Sequence, residues 1–237
     1  MKYFKKDIKN EPKSLRVYRN TTPNPVYDGG NFDQKALKTA LLKEQGYICA
    51  YCMGSISLDL NDVFKPKTEV EHYLSRQENK DLELKYLNML VVCNGFSISH
   101  PEQEEIHHCD KTKGLEGKMN GFVQLRKLDP RTPECEKLIR YTKFGEILAT
   151  NGDDDVKHDL EKVLNLNNKI LITARRNVVE ITKNALIQEK PIQQWNKAFL
   201  QKHLDKWQSL EKGKFRRYCM IAVWFLKNLI DNPKYNR

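Results

Sequence analysis

The chain has 237 residues, enough for one large domain or two small ones with a self-sufficient core, and 39% of them are hydrophobic, which excludes a disordered chain despite a mean hydropathy of −0.70. No apolar run approaches the roughly 18 residues that span a bilayer and the N-terminus has no apolar signal core, so a soluble cytoplasmic protein without a membrane partner is expected. The net charge of +10 sits at the two ends: seven basic against three acidic residues over 1–30 and eleven against three over 190–237, with eleven against fourteen over 31–118. This suits a polyanion-binding protein whose flanks hold the substrate and whose centre holds a cation, and equally a basic solubilising surface.

Prolines 12, 23 and 25 and the Gly29-Gly30 pair mark residues 1–30 as an irregular arm. From Asp33, Ala36, Leu37, Ala40 and Leu41 recur at helical spacing until Gly46 supplies a stop. Residues 47–118 then alternate short apolar runs with turns, a pattern that needs a staple to fold. Residues 120–130 read as extended, and LIRYTKFGEILAT (138–150) as a β-hairpin turning at Phe144-Gly145. NGDDD supplies a turn and an N-cap. Beyond Asp153 the chain is helical, with four apolar stripes: Val156, Leu160, Val163 and Leu164; Ile170, Leu171, Ala174, Val178, Ile181 and Ala185; Trp195, Phe199, Leu200, Leu204 and Trp207; and Tyr218, Ile221, Ala222, Phe225 and Leu229.

Cys49-Ala-Tyr-Cys52 has the spacing that lets two thiolates reach one tetrahedral ion. A redox pair would be expected to open a helix after a strand. Here the motif follows a helix and precedes a turn, which favours metal. The other two ligands come from further on, Cys93 closing LNMLVVC and Cys109 closing HHC, with His107 or His108 as possible substitutes for Cys109. A four-cysteine site has no open position, so its Zn²⁺ would be structural. Cys135 and Cys219 lie outside the cluster and read as ordinary partly buried thiols.

ICAYC, VEHYL, YLNMLVVCN and HCDKTKG, in that order, resemble the HNH endonuclease family and its ββα-metal core. EQGYICAYC, a Glu-His pair in place of the commoner Asp-His, and the set-apart HCDKTKG are similar to HNH subunits of Septu-type and retron-associated anti-phage defence systems. The motifs cover residues 41–118. The resemblance implies an α+β fold: an arm (1–30), a zinc-clamped nuclease core with its leading helix (31–118), a hairpin connector (119–152) and a C-terminal helical bundle (153–237).

It also implies roles. His72 would be the general base, and Glu71 and Asp110 the ligands of a catalytic Mg²⁺ or Mn²⁺. Asn88 would brace the loop that aims the histidine, and Lys113 would contact a phosphate. The implied activity is metal-dependent hydrolysis of phosphodiester bonds in DNA, or in an RNA such as tRNA. The implied partners are an ABC or SMC-like ATPase, for which the helices after residue 153 offer a docking surface, and a retron reverse transcriptase with its msDNA. The alternative is a catalytically silent, zinc-stabilised nucleic-acid-binding or adaptor module.

Overall fold

The computed structural model describes residues 1–58, 68–95, 106–114 and 123–235. Among them are seven α-helices and two two-stranded antiparallel sheets, an α+β arrangement.

The first thirty residues are more ordered than their prolines suggested. Lys13–Thr21 forms α1, with Pro12 just before it and Pro23 just past it. Proline is compatible with a helix start, where its missing N–H would have been unpaired anyway, so these residues punctuate a helix rather than preclude one. Leu15 on α1, and Met1 and Phe4 ahead of it, are fully buried. The Phe4 N–H donates to the Pro130 carbonyl at 2.8 Å. Glu44 gathers the same segment, pairing with Lys6 and accepting the Asp7 N–H at 2.9 Å.

Helix α2, Gln34–Glu44, begins where expected: the Asp33 side chain caps it by accepting the Ala36 N–H at 2.8 Å, and Leu37, Leu41 and Leu42 face the core. Gly46 ends it with a positive φ of 59°, and a Cβ there would strike the Phe215 ring. The strands β1 (Thr68–His72) and β2 (Met89–Cys93) pair antiparallel, with Thr68 opposite Cys93 and His72 opposite Met89. A helical turn at 110–114, α3, follows them in the chain.

The hairpin read from the sequence is present as β3 (Ile139–Tyr141) and β4 (Ile147–Ala149), turning through Gly145 with φ 96°. Residues 120–122 lie outside the described residues. The rest of the stretch expected to be extended makes no strand; instead buried Asp159 accepts the N–H groups of Arg126, Lys127 and Leu128 at 2.9 to 3.0 Å.

Asp153 caps α4 (Asp154–His158), which runs into one π-helical turn, Asp159–Val163. Then come α5 (Lys169–Glu189), α6 (Lys197–Gln208) and α7 (Cys219–Ile230). The face of α5 is not the one its apolar spacing suggested. Leu171, Arg175, Val178, Val179, Thr182 and Leu186 point inward, while Ile181 is 57% exposed and Ala185 is also exposed. Arg175 explains the rotation: its guanidinium donates to the carbonyls of Gly145 and Leu166 at 2.5 and 2.6 Å, fixing which side of α5 meets the hairpin. Helix α7 is turned similarly, burying Val223 and Leu226 and leaving Phe225 and Leu229 half-buried.

The segments share a core. Leu15, Leu41, Tyr51, Val92, Cys109, Leu164 and Ile221 belong to one buried cluster, and a second cluster joins α6, α7 and the end of α5. Because the N-terminal segment supplies part of the first cluster, Leu15→Ala is expected to cost about 2–5 kcal/mol. Val17→Ala on the same helix, 45% exposed, should stay within about 0.5 kcal/mol in urea unfolding.

Candidate functional site

Three chain segments converge on one sulfur cluster. Cys49 and Cys52 sit on a tight knuckle in which the Cys49 N–H donates to the Gly54 carbonyl at 2.9 Å and the Met53 N–H to the Cys49 carbonyl at 3.0 Å. Met53 accepts a left-handed φ of 64° to close it. Buried Gln45 docks the knuckle onto β2: its side-chain N–H groups reach the Ile48 and Val91 carbonyls, and its oxygen accepts the Val91 N–H at 2.8 Å. That register brings Cys93, two residues beyond Val91, against the knuckle.

The fourth thiol is delivered from a distance. The Cys109 N–H donates to the Leu164 carbonyl at 2.9 Å, just past the π-helical turn, and Asn165 holds the His107 carbonyl at 2.7 Å. Gly95 lets the chain pass close: a Cβ there would lie 1.7 Å from the His108 carbonyl oxygen.

All four thiols are buried and their sulfurs lie within 4.8 Å of one another, with Cys49 to Cys109 and Cys52 to Cys93 both at 3.8 Å. Zinc bound tetrahedrally at about 2.3 Å needs sulfur separations of about 3.8 Å. The residues present therefore fit zinc, and the group that could hold it includes Cys109 rather than a histidine. His108 instead lies against the Cys52 sulfur as an outer partner, with its Nδ1 toward the Ile106 carbonyl at 3.1 Å. Cys135 and Cys219 lie outside the cluster and are fully buried, which pushes their thiols up to about 12 and about 11 and makes them poor nucleophiles.

Beside the cluster lies a carboxylate site. Glu71 on β1 is 7% exposed, and its Oε1 accepts the Tyr51 hydroxyl at 2.8 Å and also pairs with the Lys113 ammonium on α3. Burial, and secondarily Glu71, raises the Tyr51 phenol well above its usual range, which keeps it a neutral donor. Half-buried Asp110, at the start of α3, has its carboxyl pushed from 3.8 to about 6 by burial first and by the charges of Glu71 and Glu69 next. With Glu71, Asp110 offers hard oxygen donors whose charge a divalent cation would offset.

His72, one residue on, keeps different company. It is 9% exposed, its Nε2 lies 2.9 Å from the Glu83 carbonyl oxygen, and the Tyr27 ring stands edge-on to it with centroids 4.6 Å apart. A carbonyl can only accept, so Nε2 carries the proton and Nδ1 keeps its lone pair. Burial is the main cause holding the imidazole below its ordinary 6.5, so it is neutral at pH 7. Asn88 stays with the loop that follows, accepting the Leu74 N–H and donating to the Leu74 carbonyl, both at 2.9 Å. The structure thus brings Glu71, Asp110 and Lys113 together. Strand β1 pairs in unbroken register through His72, and no hydrogen bond joins its imidazole to that trio among the described residues.

A scan against protein-family models finds no match, and neither does a search of curated proteins. What the site can do rests on its own residues.

Tyr51, Tyr27 and Gln45 were not singled out from the sequence. Tyr51 lies inside the cysteine motif, where its position alone could have marked it; the contacts that tie Gln45 and Tyr27 to the site, with Val91 and His72, span 46 and 45 residues and leave no local signal.

The Asp110 shift makes a stability prediction. A carboxyl whose folded pKa is raised destabilises the fold once ionised, so stability falls as pH rises from 3.8 through about 6. Asp110→Asn should therefore raise stability at pH 7.5 by about 3 kcal/mol when zinc is retained and other divalent cations are withheld. Equal melting temperatures for the two proteins under those conditions would remove the electrostatic conflict assigned to this pair.

Proposed function

We propose that the protein is a metal-dependent endonuclease of the HNH type, hydrolysing phosphodiester bonds in DNA or in an RNA such as tRNA. The observation that carries this reading is the meeting of Glu71, Asp110 and Lys113 on an antiparallel strand pair and a following helical turn, next to a four-thiol zinc site, with a neutral histidine at the end of the same strand. The chain order β1, β2, α3 supports reading the segment as a ββα core.

In this reading His72 Nδ1 takes a proton from the attacking water while the Glu83 carbonyl holds the ring from behind. Asn88, bonded on both sides of Leu74, keeps the loop after β1 in place. Glu71 and Asp110 would hold Mg²⁺ or Mn²⁺, which supplies Lewis-acid stabilisation of charge developing on the phosphoryl oxygens and on the departing 3′ oxygen. Lys113, paired with Glu71, would lend its ammonium to the same phosphate. The basic ends of the chain would hold the nucleic-acid backbone. As the effector of an anti-phage system, the protein would work with an ABC or SMC-like ATPase, and with a reverse transcriptase and msDNA in the retron-associated form.

A second reading is favoured by one observation: His72 is covered by Tyr27, and Glu71 is satisfied within the protein. In a silent zinc-clamped binding or adaptor module, Cys49→Ser would unfold the chain while Glu71→Ala and Asp110→Ala left its biological activity intact.

With DNA and RNA substrates, Mg²⁺ or Mn²⁺, and any required partner, His72→Ala should slow cleavage by about a hundredfold to ten-thousandfold with zinc retained. The wild-type rate should rise with pH as the imidazolium loses its proton, with a midpoint below 6.5, and the rise should vanish in His72→Ala. Equal cleavage by both proteins would sink the mechanism.

A further inference from the structure

Tyr51 stands between two thiols of the zinc site, yet its hydroxyl is spent on a carboxylate of the strand sheet. The ring is fully buried, and Oε1 of Glu71, twenty residues away in the chain, accepts a hydrogen bond from its hydroxyl at 2.8 Å. The same oxygen meets Lys113, four residues after Cys109 on the helical turn that Cys109 introduces. Glu71 itself belongs to β1, whose first residue, Thr68, sits opposite Cys93. Each of the three thiol-bearing segments is thus tied to one carboxylate: the knuckle by a hydroxyl, α3 by an ammonium, and β2 by its strand register.

A carboxylate turns freely about its last bond unless one oxygen is held. Here two donors hold Oε1, and among the described residues no hydrogen bond reaches Oε2. The orientation of the group is therefore set by Tyr51 and Lys113. A buried phenol is well suited to this: it donates one directional bond, adds no charge, and its ring is fixed by the surrounding packing.

We propose that Tyr51 is a positioning residue that orients Glu71 toward a divalent cation, so that the four-cysteine site sets the affinity of the hydrolytic centre for its metal. This rests on the reading of Glu71 as a cation ligand. Loss of such an outer partner weakens metal affinity by about 10- to 100-fold.

The test measures Mn²⁺ binding directly, by the paramagnetic resonance of the free ion, on full-length zinc-loaded protein without nucleic acid. Tyr51→Phe keeps the ring and removes the hydroxyl. It should retain its zinc and weaken Mn²⁺ binding by about 10- to 100-fold. In a Glu71→Ala background the same change should add nothing, because its only route to the ion is gone. A Tyr51→Phe protein that binds Mn²⁺ within about twofold of wild type, while Glu71→Ala abolishes binding, overturns the role of Tyr51 and leaves Glu71 as a ligand. If Glu71→Ala binds Mn²⁺ as well as wild type, the nuclease reading of Glu71 fails as well.

Should Tyr51→Phe lose its zinc, wild-type protein carrying ¹³C-labelled tyrosine rings decides the matter. The Tyr51 ring signal should move during a Mg²⁺ titration with the midpoint of Mg²⁺-dependent cleavage; a signal that stays put overturns the proposal.

Discussion

Everything near the proposed site depends on bringing four thiols within one coordination radius. Cys49 and Cys52 come together locally, but Cys93 arrives on a strand and Cys109 at the head of a helical turn, so the cluster closes only when three separate segments are in register. Left without a cation, such a cluster is costly, because burial pushes the Cys109 thiol well up while the neighbouring sulfurs, Cys109 first, pull Cys52 well down. A zinc ion would resolve that conflict and convert its binding free energy into folding free energy. The short strands and single helical turn around it need such a clamp, since none has enough apolar surface to hold its place alone.

The clamp also explains why the carboxylates can sit where they do. Glu71 and Asp110 repel one another, and a site of this kind persists only when the rest of the fold holds it together. Tyr51 and Lys113 temper the conflict at one oxygen of Glu71 but leave Asp110 with a raised carboxyl. Burial and neighbouring charge at Asp110 therefore cost the fold stability once its carboxyl ionises.

Much of this was legible before any coordinates. The four thiols could be read from their spacing, α2 from its 3.6-residue period and its Asp33 cap, and the β3–β4 hairpin from its turn residues, because each of these signals is local. The helix in the first thirty residues was missed because Pro12 was weighed as a breaker rather than as a start. The inward face of α5 was missed because a charged residue, Arg175, occupies a core position that an apolar count gives to Ile181. Within the site, residue types pointed to Glu71, Asp110 and Lys113, but the pairing of Lys113 with Glu71, and the separate surroundings of His72, depend on packing between residues more than forty apart.

The routes by which the sulfur cluster is anchored have a temporal meaning. The Cys109 amide is bonded to Leu164, the knuckle's Met53 carbonyl receives the Tyr218 amide, and the Gly46 carbonyl receives that of Phe215. These closures span 55 to 169 residues of chain, and loops of that length close late in folding. During synthesis the cysteine knuckle emerges well before the residues that support it. The centre beside it therefore matures only after the segment carrying Phe215 and Tyr218 has been made and docked.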